Sequence, residues 1–213
     1  MPNGTRDVRE VVVEYNKALS QISEIHAHLA KGEVYRGFRS LPVALSGLAG
    51  LAAAIAAPHL RTTEDLSGTL RYWIATGVLC GLVGCSETAL NYLRHEDVYA
   101  RRRTRKVWGQ FLPGLASGVA LTWCIVQAGE AFMPLLPGLW SVVFGLAIFS
   151  ARPYLPRASG WVALWYLAAG LLWTAVPPAD PVRFGWIVAG TFGAGQWAAA
   201  LVLFWNMERA DHG

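Results

Sequence analysis

The chain has 213 residues, of which 54% are hydrophobic and only 15% charged, with a formal net charge of +4. A soluble domain carries about a quarter charged residues, so the composition excludes an ordinary soluble fold, and the length leaves no room for a second folded domain of normal size. Mean hydropathy is +0.35, with ten Trp and 22 Gly, a mixture that suits an all-α membrane bundle; the positive charge needs no nucleic-acid partner, because the basic residues cluster where the positive-inside rule puts them.

Residues 8–31 read as a cytoplasmic amphipathic helix within an N-terminal segment, 1–39. Asp7 and Glu10 have capping-box-like spacing, and Gly32 is a natural stop. Val11, Tyr15, Ala18, Ile22, Ile25 and Leu29 fall on one apolar stripe at steps of four and three. Val8, Val12 and Leu19 widen it, and the helix would run about 36 Å. Residues 6–36 carry five basic and five acidic residues. A lipid-binding helix has a basic polar face, so neutrality points to a protein partner, with Val11, Tyr15, Ile22, Ile25 and Leu29 as the docking residues. His26 and His28 are two apart and diverge by about 200° on a helix, which rules out a shared metal. The first forty residues hold no uninterrupted apolar core, so no cleavable signal peptide is expected and the first span acts as the insertion signal.

Six apolar spans follow, near 41–57, 70–93, 108–127, 132–150, 157–176 and 184–206, within a transmembrane domain of 40–207 and ahead of a short tail, 208–213. Each reaches or approaches the ~20 residues that cross the hydrocarbon core. The first, mostly Ala and Gly after Pro42, is the shortest. The N-terminal segment carries Arg6, Arg9, Lys17, Lys31, Arg36 and Arg39, and the loop after span two carries Arg94, Arg101, Arg102, Arg103, Arg105 and Lys106. Arg152, Arg157 and Arg209 lie on the same side, against Arg61, Arg71 and Arg183 on the other. That bias puts both termini in the cytoplasm. Leu-Pro-Gly-Leu occurs at 112–115 and 136–139, read as opening spans three and four, but four residues are too few to establish an inverted repeat of the transporter kind.

Span two is the most suggestive. Gly77, Cys80, Gly84, Glu87 and Asn91 share one face, small and polar, with Gly77 and Gly81 as a GxxxG pair for helix packing. Val78, Leu79, Leu82, Val83 and Leu90 face the other way, toward lipid. Glu87 lies about two turns inside the cytoplasmic end, where a bare carboxylate costs up to roughly 2.5–3.5 kcal/mol at helix-centre depth. It is either a proton or cation site or a carboxylate held by the basic loop, with Arg94 the nearest candidate partner. Gln196, mid-way along span six, needs a hydrogen-bond partner at that depth, and Thr122 lies on a Gly114–Gly118–Thr122 packing face. Arg101, Arg102, Arg103, Arg105 and Lys106 border the membrane, as a topology anchor and as candidates for anionic-lipid headgroups. Cys80, Cys85 and Cys124 lie within spans as small apolar fillers, and His59 and His95 fall on opposite sides. No nucleophile elbow, Walker loop, dinucleotide fingerprint or HExxH is present, so no cofactor, metal site or catalytic residue is expected.

The stretches Gly32-Glu-Val-Tyr-Arg-Gly-Phe-Arg-Ser-Leu, Arg71-Tyr-Trp-Ile-Ala, Leu136-Pro-Gly-Leu-Trp-Ser-Val-Val-Phe-Gly-Leu-Ala-Ile-Phe and Gly160-Trp-Val-Ala-Leu-Trp-Tyr-Leu-Ala-Ala-Gly together resemble a family of small, uncharacterised bacterial six-span membrane proteins with a cytoplasmic helix before the first span. The resemblance supplies no functional residues. It implies a regulatory or sensory setting, since members accompany winged-helix regulators. The expectation is therefore a bacterial inner-membrane, non-enzymatic regulatory or scaffolding protein whose N-terminal helix docks on a cytosolic protein or a second copy. The competing expectation is a small transporter or channel around Glu87, Asn91 and Gln196.

Overall fold

The computed structural model describes residues 15, 17, 19–21, 39–60, 64–94 and 98–209. The chain forms two units, Met1–Val34 and Tyr35–Gly213. In the first, Tyr15, Lys17, Leu19, Ser20 and Gln21 are helical and exposed; Val11, Ile22, Ile25, Leu29, His26 and His28 lie outside the described residues.

The second unit is all-helical among the described residues: α1 (Ser40–Ala56), α2 (Leu66–Arg94), α3 (Val98–Ala128), α4 (Leu136–Ala151), α5 (Ser159–Ala175) and α6 (Pro181–Leu203). Local chemistry sets the boundaries. Arg39 is extended ahead of α1, and Pro42 sits in that helix's first turn, where its missing N–H costs nothing. Asp65 caps α2, its Oδ2 accepting from the Gly68 N–H at 3.1 Å. Gly129, at φ +111°, ends α3 in a conformation that L side chains rarely adopt. A 3₁₀ segment, Glu130–Leu135, leads into α4, with Pro137 in its first turn. Asp180 caps α6, accepting from the Arg183 N–H at 2.8 Å, and a π turn, Phe204–Glu208, follows its end.

Four segments are long and apolar enough to cross a membrane: Leu66–Leu90, Thr104–Ala128, Glu130–Tyr154 and Pro181–Asn206. The other two apolar helices, α1 and α5, have 17 residues each, or about 26 Å of rise. The sequence-derived spans fall on these helices with shifted edges. α2 and α3 extend beyond their apolar parts because Arg and Lys are good helix formers, so the basic run is helical rather than loop. The two Leu-Pro-Gly-Leu strings are not equivalent, contrary to the reading that each opens a span. Pro137 opens α4, whereas Pro113 lies inside α3.

Packing follows two strong runs, α2–α1–α6 and α3–α4–α5, joined by lighter α5–α6 and α4–α6 contacts, while the consecutive helices α2 and α3 scarcely touch. One core cluster gathers Ala54, Leu70, Trp73, Met133, Leu136, Phe184 and Val188. A second is built on Ile148, Val162, Ala163 and Tyr166, with Phe111, Phe144 and Phe192 against it. The exterior is itself apolar: Leu79, Leu82, Val119, Trp161 and Leu171 all stand exposed.

Backbones meet most closely where glycines remove Cβ. A Cβ on Gly138 would lie 2.8 Å from the Gly170 carbonyl oxygen, and one on Gly170 2.7 Å from the Val142 nitrogen. Gly114 lets α3 close on Ala147 of α4. The Gly77–Gly81 pair does not behave this way: a Cβ at either would meet nothing within 4 Å, and both residues are exposed. The expected packing face is rotated, and Thr69, Leu70, Trp73 and Thr88 are the residues buried on α2.

Candidate functional site

The polar residues singled out from sequence lie on the elements around α1. Arg39, just ahead of α1, places its Nε 3.4 Å from Glu87 Oε1 on α2. The two side chains are 51% and 40% exposed. This partner comes from another helix entry, 48 residues away in sequence; the side chain of Arg94, the partner expected from sequence, lies outside the described residues. Such a link ties the start of α1 to the C-terminal part of α2 and gives the Glu87 carboxylate a charged partner. The next residue, Thr88, is buried. Ser46 of α1 is buried, donates to its own helix at Val43 O (2.7 Å) and faces Gly84.

Gln196 is half-buried on α6. Its Cβ and the Trp197 ring crowd Gly47 of α1, where a built Cβ would come within 3.2 Å and 2.8 Å of them. Glu87 is level with residue 39 and Gln196 with residue 47, so eight residues of α1, about 12 Å of rise, separate the two groups along the bundle. They are not brought together. Asn91 is helical within α2.

Other polar side chains serve helix contacts. Trp140 Nε1 donates to Thr122 Oγ1 at 2.8 Å, and Thr122 donates on to Gly118 O at 2.7 Å. Tyr72 OH donates to Ala53 O at 2.7 Å, and Ser67 Oγ donates to Glu130 Oε1 at 3.0 Å. The Trp73 indole N–H is buried against Gly185 with no hydrogen-bond partner among the described residues. Cys80 and Cys85 are half-buried and Cys124 is exposed, all as free thiols.

The basic run lies along the first turns of α3. Arg101, Arg102, Arg105 and Lys106 are exposed while Thr104 and Val107 are buried, so one face of this turn packs inward and the other carries the cations. The Arg101 guanidinium stacks 5.7 Å from the Tyr92 ring centroid, which fastens the end of α2 to the start of α3. Arg103 is helical in the same run. Sequence reading used Arg183 only to orient the chain and gave no site role to it or to Trp165, Trp173 and Trp186, which share one groove between α5 and α6. The available signal was that Arg183 is one of few basic residues on the sparsely charged side.

An all-helical unit with an apolar exterior and four bilayer-length helices belongs to the class of multi-span helical membrane proteins. Beyond that class, no family model, no curated protein and no solved structure matches the chain.

The Arg39–Glu87 pair yields a first expected result. Both groups are substantially solvent-exposed, so the pair stabilises weakly, by ~0.2–1 kcal/mol. In a double-mutant cycle of Arg39→Ala and Glu87→Gln, read by thermal unfolding in detergent, the coupling falls in that range and the charge-reversed pair Arg39→Glu with Glu87→Arg recovers it. A coupling near zero would mean that the α1–α2 junction is held by packing alone.

Proposed function

We propose that this chain is a six-span bacterial inner-membrane protein, with both termini in the cytoplasm, that acts as a non-enzymatic regulatory or scaffolding protein through docking of its N-terminal helix on a protein partner. Six spans are supported by the position of the two 17-residue helices. Each lies beside a bilayer-length helix, α1 against α6 and α5 against α4, and their length is at the lower end of what crosses the hydrocarbon core. An even number of spans and the strong Lys/Arg bias toward one flank favour two cytoplasmic ends.

The observation that carries docking is the pair Tyr15 and Leu19. Both are helical, one turn apart, and 64% and 46% exposed. They are exposed members of the apolar stripe read from the sequence, and the charge neutrality of residues 6–36 favours a protein over a lipid surface as what that stripe meets. The transporter reading draws less support, because the Glu87 carboxylate is held by Arg39 and the Gln196 stem is engaged in α1–α6 packing.

The test compares full-length protein with a deletion of residues 1–31 and with a Tyr15→Glu, Leu19→Glu variant. Oligomeric state and co-purifying cytosolic protein are measured in mild detergent. The expected result is loss of the self-associated or partner-bound species in both variants, with the membrane unit still monodisperse. The same assembly in all three overturns the proposal.

A further inference from the structure

α5 and α6 run side by side but touch less than the helix pairs α1–α6 or α4–α5, and a groove of ≈ 530 Å³ opens between them. Its size is within the range of small-molecule sites. Small residues create it: Ala168 on α5, Gly190 and Ala194 on α6, with open space around Gly190, where a Cβ would meet nothing within 4 Å. Trp165 closes the inner end, its Nε1 donating to Thr191 O at 3.1 Å. Trp173 and Trp186 stand toward the outer end, beside the first turn of α6.

The groove has one charged lining residue, Arg183, at that outer end. Its backbone N–H is taken by Asp180, while its side chain is exposed and forms no ion pair among the described residues. From Arg183 to Ala194 the α6 backbone rises about 16 Å, so the site is a long apolar trough with a cation at its rim and indoles beside it. Tryptophan gathers at headgroup level, and an arginine there keeps its guanidinium in the polar layer while its stem lies along apolar surface.

We propose that this groove holds one phospholipid molecule, an acyl chain lying along the trough from Trp186 to Trp165 and the phosphate on the Arg183 guanidinium. The charge pattern selects an anionic amphiphile: an uncharged apolar molecule would leave the arginine unused, and a free anion would leave the trough unfilled. The guanidinium fork matches a phosphate with two parallel N–H donors. The site rests on the membrane residence argued above, and extends it from bulk solvation to one built lipid position on the flank away from the basic run.

The experiment uses full-length protein purified in mild detergent, incubated with phosphatidylglycerol and observed by native mass spectrometry. Wild type is expected to keep one lipid under collisional activation that strips the others. Gly190→Leu and Ala194→Leu fill the trough, and each should reduce that retained fraction about tenfold, while Arg183→Gln, by removing a charge-assisted contact, has an effect of about the same size. Thermal unfolding without added lipid should leave all three variants within a few degrees of wild type, because a Cβ at Gly190 meets nothing within 4 Å and Ala194 and Arg183 are exposed. Equal retention in wild type and variants overturns the proposal. So does displacement of the lipid by inorganic phosphate, or a change in oligomer size with retention unchanged, which would assign the groove to a second copy. Recovery of the chain in the aqueous fraction without detergent is a separate failure, that of membrane residence, and shows before any lipid is weighed.

Discussion

Gly138→Val or Gly170→Val is expected to break the α4–α5 pair and to lower the thermal midpoint of the detergent-solubilised protein by about 6–12 °C. A Cβ at Gly138 would lie 2.5 Å from the Thr174 nitrogen and 2.8 Å from the Gly170 carbonyl oxygen, and one at Gly170 2.7 Å from the Val142 nitrogen. These are main-chain atoms, which no rotamer change can move aside. The helices must separate, and the separation loosens the most extensive helix contact in the bundle. Overpacking a closed interior costs ~1–3 kcal/mol and occasionally more, and with main-chain atoms opposed the upper figure, about 3 kcal/mol, applies. In lipid no hydrophobic gain offsets it, since close van der Waals contact is itself what holds membrane helices together. Gly77→Ala, Gly81→Ala and Gly190→Ala are the matched controls: each meets open space, so each should leave stability unchanged or raise it by up to about 1 kcal/mol. A Gly170→Val protein that melts with wild type would mean that α4 and α5 do not approach as described.

These glycines also show what was legible in the sequence and what was not. Spacing defines a face on one helix but says nothing of what stands opposite it. The GxxxG pair Gly77 and Gly81 has the right period and no neighbour, whereas Gly138 and Gly170, in no shared motif, bring two backbones together. Helix positions were legible because a chain in lipid must satisfy its own N–H and C=O groups, so an apolar run of sufficient length is necessarily helical. Helix ends were less so. The basic residues of 101–106 mark the edge of the bilayer without ending α3, and Pro113 is absorbed inside it: the carbonyl one turn back belongs to Gly109, and Ser117 Oγ donates to the Pro113 carbonyl at 2.8 Å. The need of Glu87 for a partner was legible. The choice of Arg39 was not, because it depends on α1 lying against α2, and the pairing of α1 with α6, nearly the whole bundle apart in sequence, leaves no local trace at all. The groove of Arg183 was invisible because it depends on how loosely the consecutive helices α5 and α6 meet, which no local spacing records.

The second large effect centres on Tyr166. Its side chain is fully buried, with ring centroids 4.9 Å from Phe144 and 5.3 Å from Phe192, and its hydroxyl donates to Phe192 O at 3.3 Å. Tyr166→Phe removes one interhelical hydrogen bond, a loss of about 0.6 kcal/mol on the average for membrane helices. Tyr166→Ala removes the ring that α4 and α6 share. The soluble-protein cost of such a truncation is ~3–5 kcal/mol, and part of that is water-to-interior transfer, which lipid does not impose. About 2–3 kcal/mol therefore remains as lost packing, a fall of about 5–10 °C in the midpoint. Gly195 of α6 gives the sharper check. A Cβ there would collide with the Tyr166 ring at its Cζ, hydroxyl oxygen and Cε2. Gly195→Ala alone should thus destabilise the wild-type protein, yet in the Tyr166→Ala background the same methyl group enters the space the ring vacated and should recover stability. Opposite signs in the two backgrounds, with a coupling of ~0.5–3 kcal/mol, follow only if the ring and the glycine face each other across α5 and α6. Simple additivity of the two substitutions would place Tyr166 elsewhere.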